Sequence, residues 1–142
     1  MKNTTIAVDL AKSVFEVAVS ERPGKVSERH RLSRRKFLDF LVHRKPAVVL
    51  LEACGSAHFW GRKATELGHR PVLLPPREVR RYVRRNKTDR ADAKALLEAS
   101  RNEEILPVPV KSVPQQTLMA LHRFRSGWMA ARRVTKGEHP AP

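Results

Sequence analysis

The chain has 142 residues, 41% of them hydrophobic, which suits one domain with its own core and not a disordered chain. Its 29 Lys and Arg against 14 Asp and Glu leave a formal charge of +15, a balance that favours a polyanionic partner, DNA or RNA. No stretch approaches the roughly 18 apolar residues of a membrane helix, the N-terminus lacks an apolar signal core, and the lone Cys54 excludes an intrachain disulfide or a cysteine-based zinc site. The expectation is a cytoplasmic protein with no membrane partner. Charge alone does not separate an enzyme from a structural RNA binder.

Thr4 to Leu10 reads as a strand. Val14, Phe15, Val17 and Val19 suggest a second, after a tight connection at Ala11-Lys12-Ser13. Glu21-Arg22-Pro23-Gly24 is a turn, and the polar segment from Lys25 to Leu32 suits an edge strand. Ser33 is placed to cap a helix carrying Phe37, Leu38, Phe40, Leu41 and Val42. The unbroken apolar run from Ala47 to Leu51 is what a central parallel strand needs, because both its faces are covered. Ser56 is expected to cap a second helix, which the Phe59-Trp60 pair packs on the sheet and Gly68 ends. Val72-Leu73-Leu74 forms a short buried strand, and Pro75-Pro76 opens a basic helix from Arg77 to about Arg85. Thr88 or Asp89 caps a further helix through Ala99. Pro107, Pro109 and Pro114 interrupt any helix, and Gln115 to about Arg133 is a last, amphipathic one.

The order β-β-β-α-β-α-β-α-α, three leading antiparallel strands and then parallel βα units, predicts an α/β ribonuclease-H-like (RuvC-like) fold. That is a mixed five-stranded sheet flanked by helices. Its first and fourth strands lie side by side and parallel, and ligand sites of open α/β sheets lie at the carboxyl ends of such strands.

Four acids therefore stand out. Asp9 and Glu52 end the two apolar runs, where a carboxylate is costly unless it binds something. Asp89 and Asp92, three apart on one helix, share a face. Taken singly, each has an ordinary use: a strand-end Asp caps a turn, Asp89 caps a helix, and Asp92 pairs with Arg90 or Lys94. Taken together, one fold brings all four to one edge. Hard divalent cations bind clustered carboxylate oxygens, and Mg²⁺, with Mn²⁺ as the substitute, suits phosphodiester chemistry. Asp9, on the central strand, is the natural bridging ligand.

The second constellation is basic: Arg77, Arg80, Arg81, Arg84, Arg85, Lys87 and Arg90, with Tyr82 among them and Lys12 beside Asp9. A charge run is ordinarily a solvated face, but this one leads into the second acidic pair. A role in binding a nucleic-acid backbone follows, carrying little sequence information. Cys54 reads as a small packing residue. His58, His69 and His122 lack metal-ligand spacing.

Asp9-Leu10-Ala11-Lys12, Glu52-Ala53-Cys54-Gly55-Ser56 and Lys87-Thr88-Asp89-Arg90-Ala91-Asp92-Ala93 resemble the three signatures of the DEDD transposases of bacterial insertion sequences. This is the IS110 family, related to the Piv DNA invertases. The resemblance covers about Ile6 to Leu121. It implies a RuvC-like N-terminal domain for DNA transposition, with Asp9, Glu52, Asp89 and Asp92 as catalytic magnesium ligands. It also implies DNA as partner, and in some members a guide RNA encoded by the element.

By the same resemblance the family continues into a helical segment and a second domain bearing a nucleophilic serine. The expectation is therefore a RuvC-like domain over 1–102, a Pro-rich linker over 103–113, an amphipathic helix over 114–134 and a disordered tail over 135–142, truncated before the serine domain. The apolar stripe of Leu118, Leu121, Phe124, Trp128 and Met129 suggests a homo-oligomer. Two rivals remain: a self-sufficient metal-dependent nuclease such as a junction resolvase, and a non-catalytic nucleic-acid-binding remnant.

Overall fold

The computed structural model describes residues 3–84 and 89–137, with side chains from residue 92 onward in the second stretch. Five strands, β1 (Thr5–Leu10), β2 (Val14–Ser20), β3 (Glu28–Ser33), β4 (Val48–Glu52) and β5 (Arg70–Leu74), form one sheet in the order β3-β2-β1-β4-β5. β1, β2 and β3 are antiparallel neighbours, and β4 and β5 run parallel to β1. The helices are α1 (Arg34–Val42), α2 (Gly55–Glu66), α3 (Pro76–Val79), α4 (Asp89–Ala99) and α5 (Val113–Thr135). This is the ribonuclease-H-like α/β sheet that the element order predicts.

Local chemistry sets most boundaries. Ser33 caps α1 by accepting from the backbone N–H of Lys36 at 3.3 Å. Gly68, at φ +84°, takes the left-handed turn that ends α2. Ser112 and Gln115 cap α5 reciprocally, so the helix starts two residues earlier than expected. Pro114 sits in its first turn, where no N–H is needed, and does not interrupt it.

Three other expectations are corrected. β3 starts at Glu28, because the N–H of Lys25 donates to Arg22 O at 3.1 Å and closes the turn instead. Cys54, exposed and not packed, is the N-cap residue of α2, and Ser56 lies inside the helix. The basic helix from Arg77 to Arg85 does not form. α3 ends at Val79, one 3-10 turn spans Arg80–Tyr82, and Val83 is extended. Arg77, Arg80, Arg81 and Arg84 would stack like charges one turn apart, which disfavours a continued helix. Arg85, Lys87 and Thr88 lie outside the described residues, as does the tail from residue 138.

The two faces of the sheet are packed differently. On one face, Ile6, Val8, Phe15, Val17, Val49, Leu51 and Leu73 meet α1 and α2. Phe15, Phe37 and Trp60 interlock there edge to face, with centroids 5.0–5.5 Å apart. Trp60 alone of the expected pair is buried; Phe59 is half-exposed. The other face carries Ala7, Ala18, Leu50 and Leu74, against Ala93, Ala95, Leu96 and Ala99 of α4. Small residues on both sides let this helix lie close to the strands.

His69 ties the α1–β4 connection to β5. Its Nε2 donates to Leu41 O at 2.8 Å and its Nδ1 accepts from Ala47 N–H at 3.2 Å, which fixes the orientation of the ring. Arg44 donates to Glu28 at 3.0 Å and, with His30 also bound, holds that carboxyl down to about 2. The first compact unit extends to Val110, past the boundary expected at 102. Ile105 is buried and Val108 N–H donates to Leu73 O at 2.7 Å, so residues 103–110 lie along the sheet. Lys111 begins a second unit, made of α5.

Candidate carboxylate site and basic edge

β1, β4 and β5 are parallel, so all three end at one edge of the sheet. Asp9 and Glu52 each follow the last paired residues of β1 and β4, Val8 and Leu51, and stand at neighbouring strand ends. Side chains alternate along a strand. Asp9 thus shares its face with Ala7, and Glu52 with Leu50, which is the face covered by α4.

α4 runs back along this face. Leu97, Ser100 and Arg101 at its C-terminal end line a cavity with Asn3 and Thr5 at the start of β1. Its N-terminal end, with Asp89 and Asp92, therefore points toward the edge that carries Asp9 and Glu52. Asp92, Leu96 and Ala99 fall at helical spacing on the buried stripe, so Asp92 continues the packed face toward the carboxylate edge. Its Oδ1 is buried and lacks a hydrogen-bond partner among the described residues. An orphaned carboxylate oxygen in such a place calls for a cation or a donor. Asp89 begins α4, three residues before Asp92, and its side chain lies outside those described, as does that of Arg90. Among the described residues, no three His, Cys, Asp or Glu side chains form a group able to hold a metal ion.

One carboxylate escapes the sequence reading. Glu16 of β2 is directly opposite Asp9 in the antiparallel register, on the same face, and only 8% exposed. Arg31 of β3 is directly opposite Glu16 and forms an ion pair with it, Nε to Oε1 at 2.8 Å. A row of charges, Arg31-Glu16-Asp9-Glu52, thus crosses four strands. The signal in the sequence is a lone acid inside the otherwise apolar Val14–Val19 run.

The basic residues lie on two segments that leave this edge of the sheet. Lys12 is exposed in the β1–β2 connection. Arg77, Arg80, Arg81 and Arg84 are exposed on the segment that leaves β5, and Arg81 also pairs with Glu78 at 2.8 Å. Among the described residues, no helix is long and apolar enough to cross a membrane.

The architecture and this edge define the class: a ribonuclease-H-like domain with acids at its central strand ends. The profile of the IS110-type DEDD transposases, described as a transposase, matches residues 6–138. The chain belongs to this IS110 family of insertion-sequence transposases. It is 42% identical over 132 residues to a probable family 20 transposase of Pseudomonas aeruginosa, covering 93% of this chain and 39% of that protein. It is 36% identical over 129 residues to the transposase for insertion sequence element IS1328 of Yersinia enterocolitica, covering 91% and 39%. The match to the transposase for IS1111A of Coxiella burnetii is 35% over 127 residues, covering 89% and 35%. The chain thus spans under two-fifths of the length of these curated relatives. Among solved structures, T. thermophilus RuvC in complex with a Holliday junction substrate aligns over 75% of this chain and 99% of that one, at 9% identity and a TM-score of 0.49.

Proposed function

We propose that this chain is the nucleic-acid-binding, divalent-cation-binding domain of a DNA transposase, working in the cytoplasm. The observation that carries the reading is the buried, unpartnered Asp92 Oδ1 on the helix face that runs toward the strand ends of Asp9 and Glu52. Asp9, Glu52, Asp89 and Asp92 would hold Mg²⁺ or Mn²⁺. When bound, such ions activate a nucleophile and stabilise the leaving oxygen of a phosphodiester. The protein's own part is to hold the acids on a sheet edge and a packed helix, and to keep them apart from the aromatic core on the opposite face. Lys12, Arg77, Arg80, Arg81, Arg84, Arg85, Lys87 and Arg90 would bind phosphates of DNA, and of an element-encoded guide RNA where there is one. Transposition as a whole is proposed only for a protein of the relatives' full length.

Thermal melting tests the cation. Millimolar Mg²⁺ or Mn²⁺ should raise the melting temperature of the native chain, because a ligand bound only by the folded state stabilises it. Asp9→Ala should abolish the rise. An equal rise in Asp9→Ala would place the cation elsewhere and sink the site.

We also infer self-association through α5. Leu118, Leu121, Phe124 and Trp128 are each more than half exposed along it, a stripe that in water usually marks an interface. The occupant proposed is a second copy of the same helix. Light scattering should give an oligomer for the full chain and a monomer for a version ended at Lys111. Monomers for both at tens of micromolar would refute it.

A further inference from the structure

Arg31 has an arrangement that a surface arginine does not need. Its partner Glu16 is buried, with a side chain only 10% exposed, whereas the Arg31 side chain is 66% exposed. The contact uses Nε, in the middle of the guanidinium. The side chain is otherwise largely in solvent, and its two terminal nitrogens carry four of the five N–H donors of this planar fork. The backbone register fixes the base of the arm: Arg31 is two strands from Asp9, in the same cross-strand row and on the same face. Neighbouring strands are about 4.8 Å apart, so the row places the Arg31 backbone roughly 10 Å from that of Asp9, within an arginine side chain's reach of a chain laid over the strand ends.

We propose that Arg31 holds a phosphate of the nucleic acid engaged at this edge, and that Glu16 is the residue that positions it. The proposal rests on the nucleic-acid role proposed above and not on the cation. Glu16 fixes one side of the guanidinium and leaves the other as a preorganised fork, the geometry that suits phosphate oxygens. The sequence pattern points to backbone contacts only at Lys12 and the 77–90 segment. Arg31 would add a contact on the other side of the carboxylate row, so that the bound strand is held on both flanks of Asp9.

The test is binding of a labelled, mixed-sequence single-stranded DNA to the full chain in EDTA, as a function of salt. Arg31→Ala should weaken binding and flatten the salt slope by about 0.7, one contact on a single strand. Arg31→Lys keeps a charge for Glu16, guards against a folding defect and should still bind less tightly than the native chain, because an ammonium lacks the fork. Glu16 separates positioning from simple charge. If the pair were only an ion pair, removing the carboxylate would strengthen binding to a polyanion. Positioning gives the opposite sign: Glu16→Ala should weaken binding. Glu16→Gln, which still accepts from Nε, should bind at least as tightly as the native chain. A native salt slope in Arg31→Ala, or tighter binding by Glu16→Ala, overturns the proposal and leaves the wider reading intact. Failure of the native chain to bind the DNA at all would overturn both.

Discussion

Phe15→Ala should destabilise the first unit by about 3–5 kcal/mol, the range for deleting a fully buried aromatic ring. Phe15 is 1% exposed and meets both Phe37 and Trp60 edge to face, at 5.5 and 5.4 Å. It belongs to β2 and so ties α1 and α2 to the middle of the sheet. Neither helix can close the gap without leaving its strand contacts, so the cavity is expected to persist. Urea unfolding measures the loss as a lowered midpoint. Phe59→Ala is the control: Phe59 is half-exposed, and a surface change of this kind is usually within about 0.5 kcal/mol. Equal losses for the two would mean that the aromatic layer does not hold this face together.

The second large effect is on binding. Changing Arg77, Arg80, Arg81 and Arg84 together to Ala should weaken duplex DNA binding about equally across sequences. It should flatten the salt slope by up to about 0.9 for each lost phosphate contact, or about 3.6 for all four. All four are exposed, and only Arg81 is engaged by an acid, Glu78, among the described residues. The smallest share is therefore expected from Arg81. A slope equal to that of the native chain would mean that the segment after β5 does not touch the backbone.

The sheet was legible because its signals are local and redundant. Continuous apolar runs marked β1 and β4, Ser33 marked a helix start, and the element order implied that Asp9 and Glu52 end adjacent parallel strands. The failures share a cause: tertiary register is invisible to local pattern. Glu16 looked like one polar interruption in β2, and its place opposite Asp9 exists only through the pairing that the Ala11–Ser13 turn sets. Arg31 looked like any charge on an edge strand. The basic run after Pro76 had the composition of a helix, yet repulsion one turn apart and the burial of Val79 favoured a short helix, a 3-10 turn and an extended exit. Residues 103–110 read as a linker from their prolines, whereas Ile105, Val108 and Val110 pack on the first unit.

That last segment bears on how the domain stays apart from its own copies. A sheet with free edges is a template for further strands, and proteins must blunt both edges. Here the two are blunted by unlike means. β5 gives its Leu73 carbonyl to Val108, so a stretch of the same chain already occupies part of the place where a foreign strand would dock. β3 has no such cover among the described residues, but it carries Arg29 and Arg31 on its exposed positions. Two copies approaching edge to edge would bring these like charges together. Fibrillation by strand addition is thus opposed by occupancy at one side and by charge at the other, and only the charged side weakens as salt rises.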